Sequence, residues 1–294
     1  MSAYTSENPV LIHEGPRGPA MWMLQQPRAP LFLVHDGGGT NFSYHLLDPL
    51  DRPLWGVENA KLHAGGWWEG GIPEMAAHYI NLISRVMPEG GDIILGGWSL
   101  GGHLSLEMAH QIAVAGRNGS ITCGSDAGSS DKSSRTGSPA APQFRVLGMI
   151  FIDTVFPTQL EILRGPPAPE PVFLSSMESK AMKLKDKVNL NMTHARMMVQ
   201  SWDMPQWEDG LKVPPTILLR AKEFVSRDPS QTFVDYVREY PLIGWEEYNE
   251  KHGNFIIEVV EVEGHHFSIF SFEHIEDVSK KIRRAADKLD QPEF

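Results

Sequence analysis

The sequence predicts an α/β fold, with a mostly parallel central sheet and helices on both faces. Six short runs are nearly continuous in Leu, Ile and Val, the composition of strands buried on both faces. Amphipathic stretches separate them, and alternating strand and helix builds a layered α/β domain. The 294 residues, 41% of them hydrophobic, suffice for one large core.

Taken in chain order, Val10–His13 and Met21–Leu24 flank a Gly/Pro turn and read as an antiparallel hairpin at the sheet edge. Strands follow at Pro30–His35 (PLFLVH) and Pro53–Val57 (PLWGV). From Ile72 to Met87, Met75, Tyr79, Leu82 and Ile83 recur at helical spacing. Asp92–Gly96 (DIILG) is the next strand, and Leu104, Met108 and Ile112 mark one face of a second helix. Gly116–Pro142 is rich in Gly and Ser and poor in large apolar groups, so it is expected to be a flexible surface loop. Val146–Asp153 (VLGMIFID), Thr216–Ala221 (TILLRA) and Ile256–Val262 (IIEVVEV) complete the strands.

Pro157–Val213 interrupts two core strands with a Pro-rich stretch and then a helical one. It holds Met177, Met182, Met192, Met197, Met198 and Met204 of the chain's 13 methionines. An excursion at this edge is expected to be an inserted helical lid, whose soft methionines suit a wall that adapts to greasy ligands or simply pack the lid on the body. Met192, Met197, Met198 and Trp202 are the candidate substrate contacts. Trp67, Trp68 and Trp207 either line the pocket or pack the core.

The formal net charge of −11 argues against a nucleic-acid partner, which needs Lys and Arg to displace counterions. The single cysteine, Cys123, allows no disulfide within these residues and fits a reducing compartment. Nothing near Cys123 in sequence would lower its pKa, so it reads as incidental. Met1–Pro19 carries Glu7 and Glu14 and no apolar run, unlike a signal peptide. No stretch approaches the roughly 20 apolar residues of a membrane helix. A cytoplasmic protein without a membrane partner is expected.

Gly97-Trp98-Ser99-Leu100-Gly101 follows the strand Asp92–Gly96 and precedes a helix. A G-x-S-x-G motif in that setting forms the nucleophile elbow of an α/β-hydrolase, with Ser99 as nucleophile. The amide of Leu100, at the helix start, faces a developing oxyanion. PLFLVH runs into Asp36-Gly37-Gly38-Gly39-Thr40, where the second oxyanion donor belongs. That donor is assigned to the Gly37 amide, with Gly38 as the alternative. Neither G-x-G-x-x-G nor G-x-x-x-x-G-K is present to suggest a phosphate loop instead.

A serine hydroxyl needs an imidazole to take its proton. In this fold the order is Ser, acid, His, with the histidine after the last strand. Gly264-His265-His266-Phe267 follows Ile256–Val262 and offers His265 and His266. His78, His103 and His110 lie on helices and read as surface or packing residues. The acid closes a strand: Asp153 ends VLGMIFID, whereas Glu223 and Asp228 lie in the loop one strand later, Asp228 several residues past its strand. Asp153 is preferred; capping is its structural alternative. No H-E-x-x-H or Cys/His ligand set is present, so no metal is expected.

Together LFLVHDGGGTNFSY, GGWSLGGHLSLEMA, VLGMIFIDTVFP, LIGWEEY and VVEVEGHHFSIF resemble the thioesterase domains that end polyketide and nonribosomal peptide synthases. HDGGGTNFSY is most similar to fungal members. The resemblance implies Asp153 as the acid and, through a Gly-x-His-Phe pattern, His266 as the base. It implies an acyl or peptidyl chain held on the phosphopantetheine of an acyl or peptidyl carrier protein. That chain transfers to Ser99 and leaves by hydrolysis or cyclisation, with no cofactor or metal held by the enzyme itself. The Gly116–Pro142 insert departs from the pattern without touching the motifs. Both a free-standing enzyme and an excised domain fit a chain that starts at Met1 with no carrier segment before the hydrolase. Lys180, Lys183, Lys185 and Lys187 form either a patch for an acidic carrier surface or pantetheine phosphate, or a solvated helix face. Two other functions share these residues: a carboxylesterase or lipase acting on oxygen esters, and a hydrolase-fold binding protein without catalysis.

Overall fold

The computed structural model describes residues 7–15, 28–121, 143–157, 170–208, 210–228 and 232–291. The Met21–Leu24 run, Cys123, the Gly/Ser-rich stretch from 122 to 142 and the Pro-rich stretch from 158 to 169 lie outside the described residues.

The strands are β1 (Val10–His13), β2 (Leu31–Val34), β3 (Leu54–Val57), β4 (Gly91–Trp98), β5 (Phe144–Ile152), β6 (Thr216–Glu223) and β7 (Ile256–His265). They form one sheet in the order β1-β3-β2-β4-β5-β6-β7. β1 pairs antiparallel with β3 at one edge, and every other pairing is parallel. The helices are α1 (Gly71–Val86), α2 (Leu100–Ile121), α3 (Ser176–Ala181), α4 (Leu184–Gln200), α5 (Glu246–Lys251) and α6 (Ile275–Leu289).

Strand side chains alternate between two cores, as the period of two requires. Phe32, Val34, Ile93, Leu95, Met149, Phe151 and Leu218 meet α1 and α2 on one face. Leu31, Leu33, Ile94, Ile150, Ile152, Ile217 and Leu219 meet α6 and the Tyr44–Leu50 segment on the other. Each fully buried Leu or Ile contributes about 1.5–3 kcal/mol of transfer free energy. The nearly continuous apolar runs exist because both faces are covered.

Strand ends differ from the sequence expectation by a few residues, and two helices differ by more. α2 continues to Ile121, so Gly116–Ile121 is helical rather than loop. Once a helix is nucleated, each further residue adds a hydrogen bond, and the cost of Gly or Ser is small beside that of starting anew. α6 is not among the elements the sequence patterns single out. Its stripe of Val278, Ile282, Ala285, Ala286 and Leu289 is buried, but it is hidden in the heavily charged IEDVSKKIRRAADKL.

Between β5 and β6, α3 begins at a capping box: the Ser175 hydroxyl accepts from the Glu178 amide, and the Glu178 carboxylate accepts from the Ser175 amide. α4 is tied to the segment after β3 by buried polar side chains. Asn191 accepts from Asn59 Nδ2 at 3.0 Å and donates to the Leu62 carbonyl at 3.2 Å. His194 Nδ1 lies 2.6 Å from the Gly65 carbonyl. Lys180, Lys183 and Lys185 are exposed. Lys187 is not part of that surface: it is buried, with Nζ 3.4 Å from His63 Nδ1. Among the described residues, no helix is long and apolar enough to cross a membrane.

Candidate active site

After β2 the chain turns to β3 on one side, then crosses back to place β4 on the other. Connections diverge there, the place beyond the carboxyl ends of β2 and β4 where open α/β sheets take their ligands. Gly37 follows β2 and Ser99 follows β4, so the fold alone brings the two loops together.

Ser99 sits between the last residue of β4 and the first of α2 with φ +55°. A non-glycine residue in the left-handed region costs about 1–2 kcal/mol. The Ser99 amide donates to the Ile152 carbonyl at 2.9 Å, and the Ser99 carbonyl accepts from Gly102 at 3.2 Å. The flanking glycines are steric requirements. A Cβ on Gly97 would stand 2.5 Å from the Val34 carbonyl oxygen, and one on Gly101 would overlap that same atom.

Tyr44 locks the two loops. Its hydroxyl donates to the Val34 carbonyl at 2.6 Å and accepts from the Trp98 amide at 2.9 Å. It is fully buried, and burial pushes its phenol well above the ordinary range.

In the glycine loop, the Gly38 amide donates to Asp36 Oδ1 at 3.1 Å and the Gly39 amide to the Asp36 carbonyl at 3.1 Å. The Gly37 amide makes no hydrogen bond to another described residue. Leu100 is the first residue of α2, so its amide has no acceptor within the helix. The amides of Gly37 and Leu100 are thus left without a partner among the described residues, whereas the Gly38 amide is committed to Asp36. Burial lifts the Asp36 carboxyl from 3.8 to about 6, against the Gly38 amide and the charge of His266, which act the other way. His35 is held neutral by burial, its pKa lowered to about 4, with Nε2 2.7 Å from the Tyr79 hydroxyl.

Asp153 follows β5 with φ +46° and no exposed surface. Oδ2 lies 2.8 Å from His266 Nδ1 and accepts from Arg238 Nη2 at 2.7 Å. Oδ1 accepts from Arg238 Nη1 at 2.5 Å and from the Ala221 amide at 2.8 Å. Burial opposes ionisation, but the bonds from Arg238 and His266 outweigh it and hold the carboxyl well below the usual carboxylate range. His266 is itself buried, in the turn after β7, where Ser268 bonds both the amide and the carbonyl of His265. The Trp98 ring, adjacent to Ser99 in the chain, packs on the His266 imidazole at 5.7 Å between centroids. The structure thus brings Asp153, not Glu223 or Asp228, to His266. His265 instead accepts from the Phe267 amide at 3.2 Å.

At the rim, Phe267 stands edge-on to His266 at 4.8 Å, and Phe233 lies 6.5 Å from it. Arg196 on α4 stacks over Phe233 at 5.3 Å. Met192 and Ala195 of α4 approach Gly37. Of the four candidate contacts, Met192 is exposed beside this loop and Met197 is half-buried. Met198 and Trp202 are both buried in the core, and the Trp202 indole donates to Glu107 at 3.1 Å. Trp68 and Trp207 are buried as well, their indoles bonded to Asn59 and Tyr248. His103 is a packing residue between Trp202 and Trp245, lowered to about 4 by burial.

Arg238 is the residue sequence reasoning misses. Its partner lies 85 positions away, and it follows a short turn, Phe233–Asp235, with no periodic pattern.

Known proteins resemble this chain along nearly its whole length. A family model described as a thioesterase domain matches residues 29–165. The chain is 38% identical to Thioesterase frbE of Dothideomycetidae sp. over 97% of both chains. It is 32% identical to the probable thioesterase gloN of Glarea lozoyensis, over 96% of this chain and 98% of that one. Among solved structures it is similar to the NocB thioesterase domain from the nocardicin cluster, with a TM-score of 0.57 and 22% identity, over 88% of this chain and 94% of that one. The fold is that of the α/β-hydrolases, as the strand pattern and the serine motif predict.

Proposed function

The chain belongs to the thioesterase family, and from that premise we propose that it releases an acyl chain from a thioester through a covalent intermediate on Ser99. The observation that carries this reading is the bond between Asp153 and His266, on a turn that packs against the residue beside Ser99.

In the proposed reaction, Ser99 Oγ attacks the thioester carbonyl while His266 Nε2 takes its proton. Asp153 accepts from Nδ1, fixes the tautomer and stabilises the imidazolium. The oxyanion is held by the amides of Gly37 and Leu100; losing one such donor typically costs about 3 kcal/mol of transition-state stabilisation. Collapse expels the thiol, which takes the proton from His266 and leaves an acyl-Ser99 ester. Water or a nucleophile within the chain then attacks that ester with His266 again as base. No bound metal or cofactor enters any step.

The substrate we propose is a polyketide or peptidyl chain on the phosphopantetheine of an acyl or peptidyl carrier protein, in a cytoplasmic secondary-metabolite pathway. The resemblance of the motifs to synthase-terminating thioesterases supports this. α3 and α4 then act as the lid, with Met192 beside the oxyanion loop, and Lys180, Lys183 and Lys185 as the surface that meets the acidic carrier. Charge reversal at these three lysines is expected to slow turnover of carrier-bound substrate while sparing a free pantetheine thioester. Equal rates on both would remove the carrier contact.

The test of the reaction is a panel of acyl-pantetheine thioesters and matched oxygen esters, with products identified by mass spectrometry for wild type and Ser99→Ala. The reading predicts thioester turnover that disappears in Ser99→Ala. Turnover of oxygen esters alone would make the protein a carboxylesterase, and turnover that survives Ser99→Ala would end the Ser99 mechanism.

A further inference from the structure

Arg238 is a charged residue that the proposed mechanism does not use, yet it is as buried as the carboxylate it holds. Its two terminal nitrogens reach the two Asp153 oxygens at 2.5 and 2.7 Å. They also donate to the Ala221 and Val234 carbonyls at 3.3 and 3.4 Å. A guanidinium fork of this kind fixes both the position and the plane of a carboxylate. Oδ2 is shared between Arg238 and His266, so whatever fixes that oxygen also fixes the imidazole.

The charge matters as much as the geometry. A carboxylate alone beside an imidazole strongly favours the imidazolium. Here a permanent cation already pairs the carboxylate and stands within about 6 Å of the ring nitrogen, because both bond the same oxygen. Proton uptake by His266 therefore leaves the Arg–Asp–His cluster with a net positive charge instead of neutral.

Resting on the Ser99 reading, we propose that Arg238 is a positioning residue of the reaction: it clamps Asp153, and through it His266, and it sets a fixed positive charge beside that imidazole. Among the described residues, charged or titratable groups set near His266 include Asp36 from the loop after β2, Arg196 of α4 across Phe233, and His265 beside it in the turn. None of them bonds the Asp153 carboxylate, whose partners are Arg238, His266 and the Ala221 amide. A change at position 238 thus reaches the His266 imidazole chiefly through the carboxylate the two share.

The test is the rate of Ser99 labelling by an alkyl fluorophosphonate between about pH 5 and pH 9, which follows the basicity of the imidazole that activates the serine. Thermal melting of each variant confirms that it is folded. Arg238→Met removes the cation and is expected to move the labelling midpoint to higher pH. Arg238→Lys keeps the charge but not the fork. It is expected to leave the midpoint near that of wild type and to slow labelling about tenfold or more. Profiles that superimpose on wild type in rate and midpoint would overturn the proposal. So would failure of both variants to fold, which would make the arginine a structural prop alone. Undiminished labelling of Ser99→Ala is a separate outcome and would remove the nucleophile reading on which the proposal stands.

Discussion

Replacing Asp36 by asparagine should stabilise the protein at alkaline pH and do nothing at acid pH. Burial raises this carboxyl from 3.8 to about 6 in the folded chain. Between those two values the folded state binds more protons than the unfolded one, so stability falls as pH rises through that window. The difference corresponds to about 3 kcal/mol above pH 6. Solvent reaches part of this half-buried side chain, which reduces the expected penalty to about 1–2 kcal/mol. Asp36→Asn keeps an oxygen to accept from the Gly38 amide and removes only the charge. Urea unfolding at pH 4 and pH 8 would measure it. The variant is expected to gain about 1–2 kcal/mol over wild type at pH 8 and to match it at pH 4. A gain equal at both pH values, or a loss at pH 8, would refute the electrostatic account of this loop.

Three further outcomes follow from the same geometry. Asp153→Asn should lower kcat on a thioester about 10⁴-fold by losing the tautomer control of His266. It should also cost about 3–5 kcal/mol of stability by leaving Arg238 buried without its counter-charge, read from urea midpoints. Tyr44→Phe removes the hydroxyl joining Val34 to Trp98 and leaves the Trp98 amide unpaired, so chemical denaturation should show a loss of about 1–3 kcal/mol. Gly101→Ala drives a methyl into the Val34 carbonyl, so fluorophosphonate labelling should fall at least tenfold even in the fraction that stays folded.

Much of this fold was legible because burial writes itself into the sequence. Strands β2, β4, β5 and β6 carry nearly continuous apolar runs, since both of their faces are covered. Strand ends alone offered Asp153 ahead of Glu223 and Asp228 and left His265 and His266 open; the resemblance, through its Gly-x-His-Phe pattern, pointed to His266, the histidine that bonds Asp153. What stayed hidden has physical reasons. Arg238 acts across a long sequence separation from an irregular turn, where no pattern reports on a partner. Met198 and Trp202 were expected at the substrate, but apolar composition does not distinguish a pocket wall from a core. Lys187 reads as a surface cation, yet the helix turns it inward toward His63. In α6 the charged face outweighs the buried stripe in any average over the segment.

Peptide mapping by mass spectrometry after treatment with an alkyl fluorophosphonate tests the nucleophile most directly. One adduct on the peptide holding Ser99, abolished in Ser99→Ala and strongly slowed in His266→Ala, is the predicted result. An adduct on another residue, or none on folded wild-type protein, would contradict the proposed Ser99 mechanism.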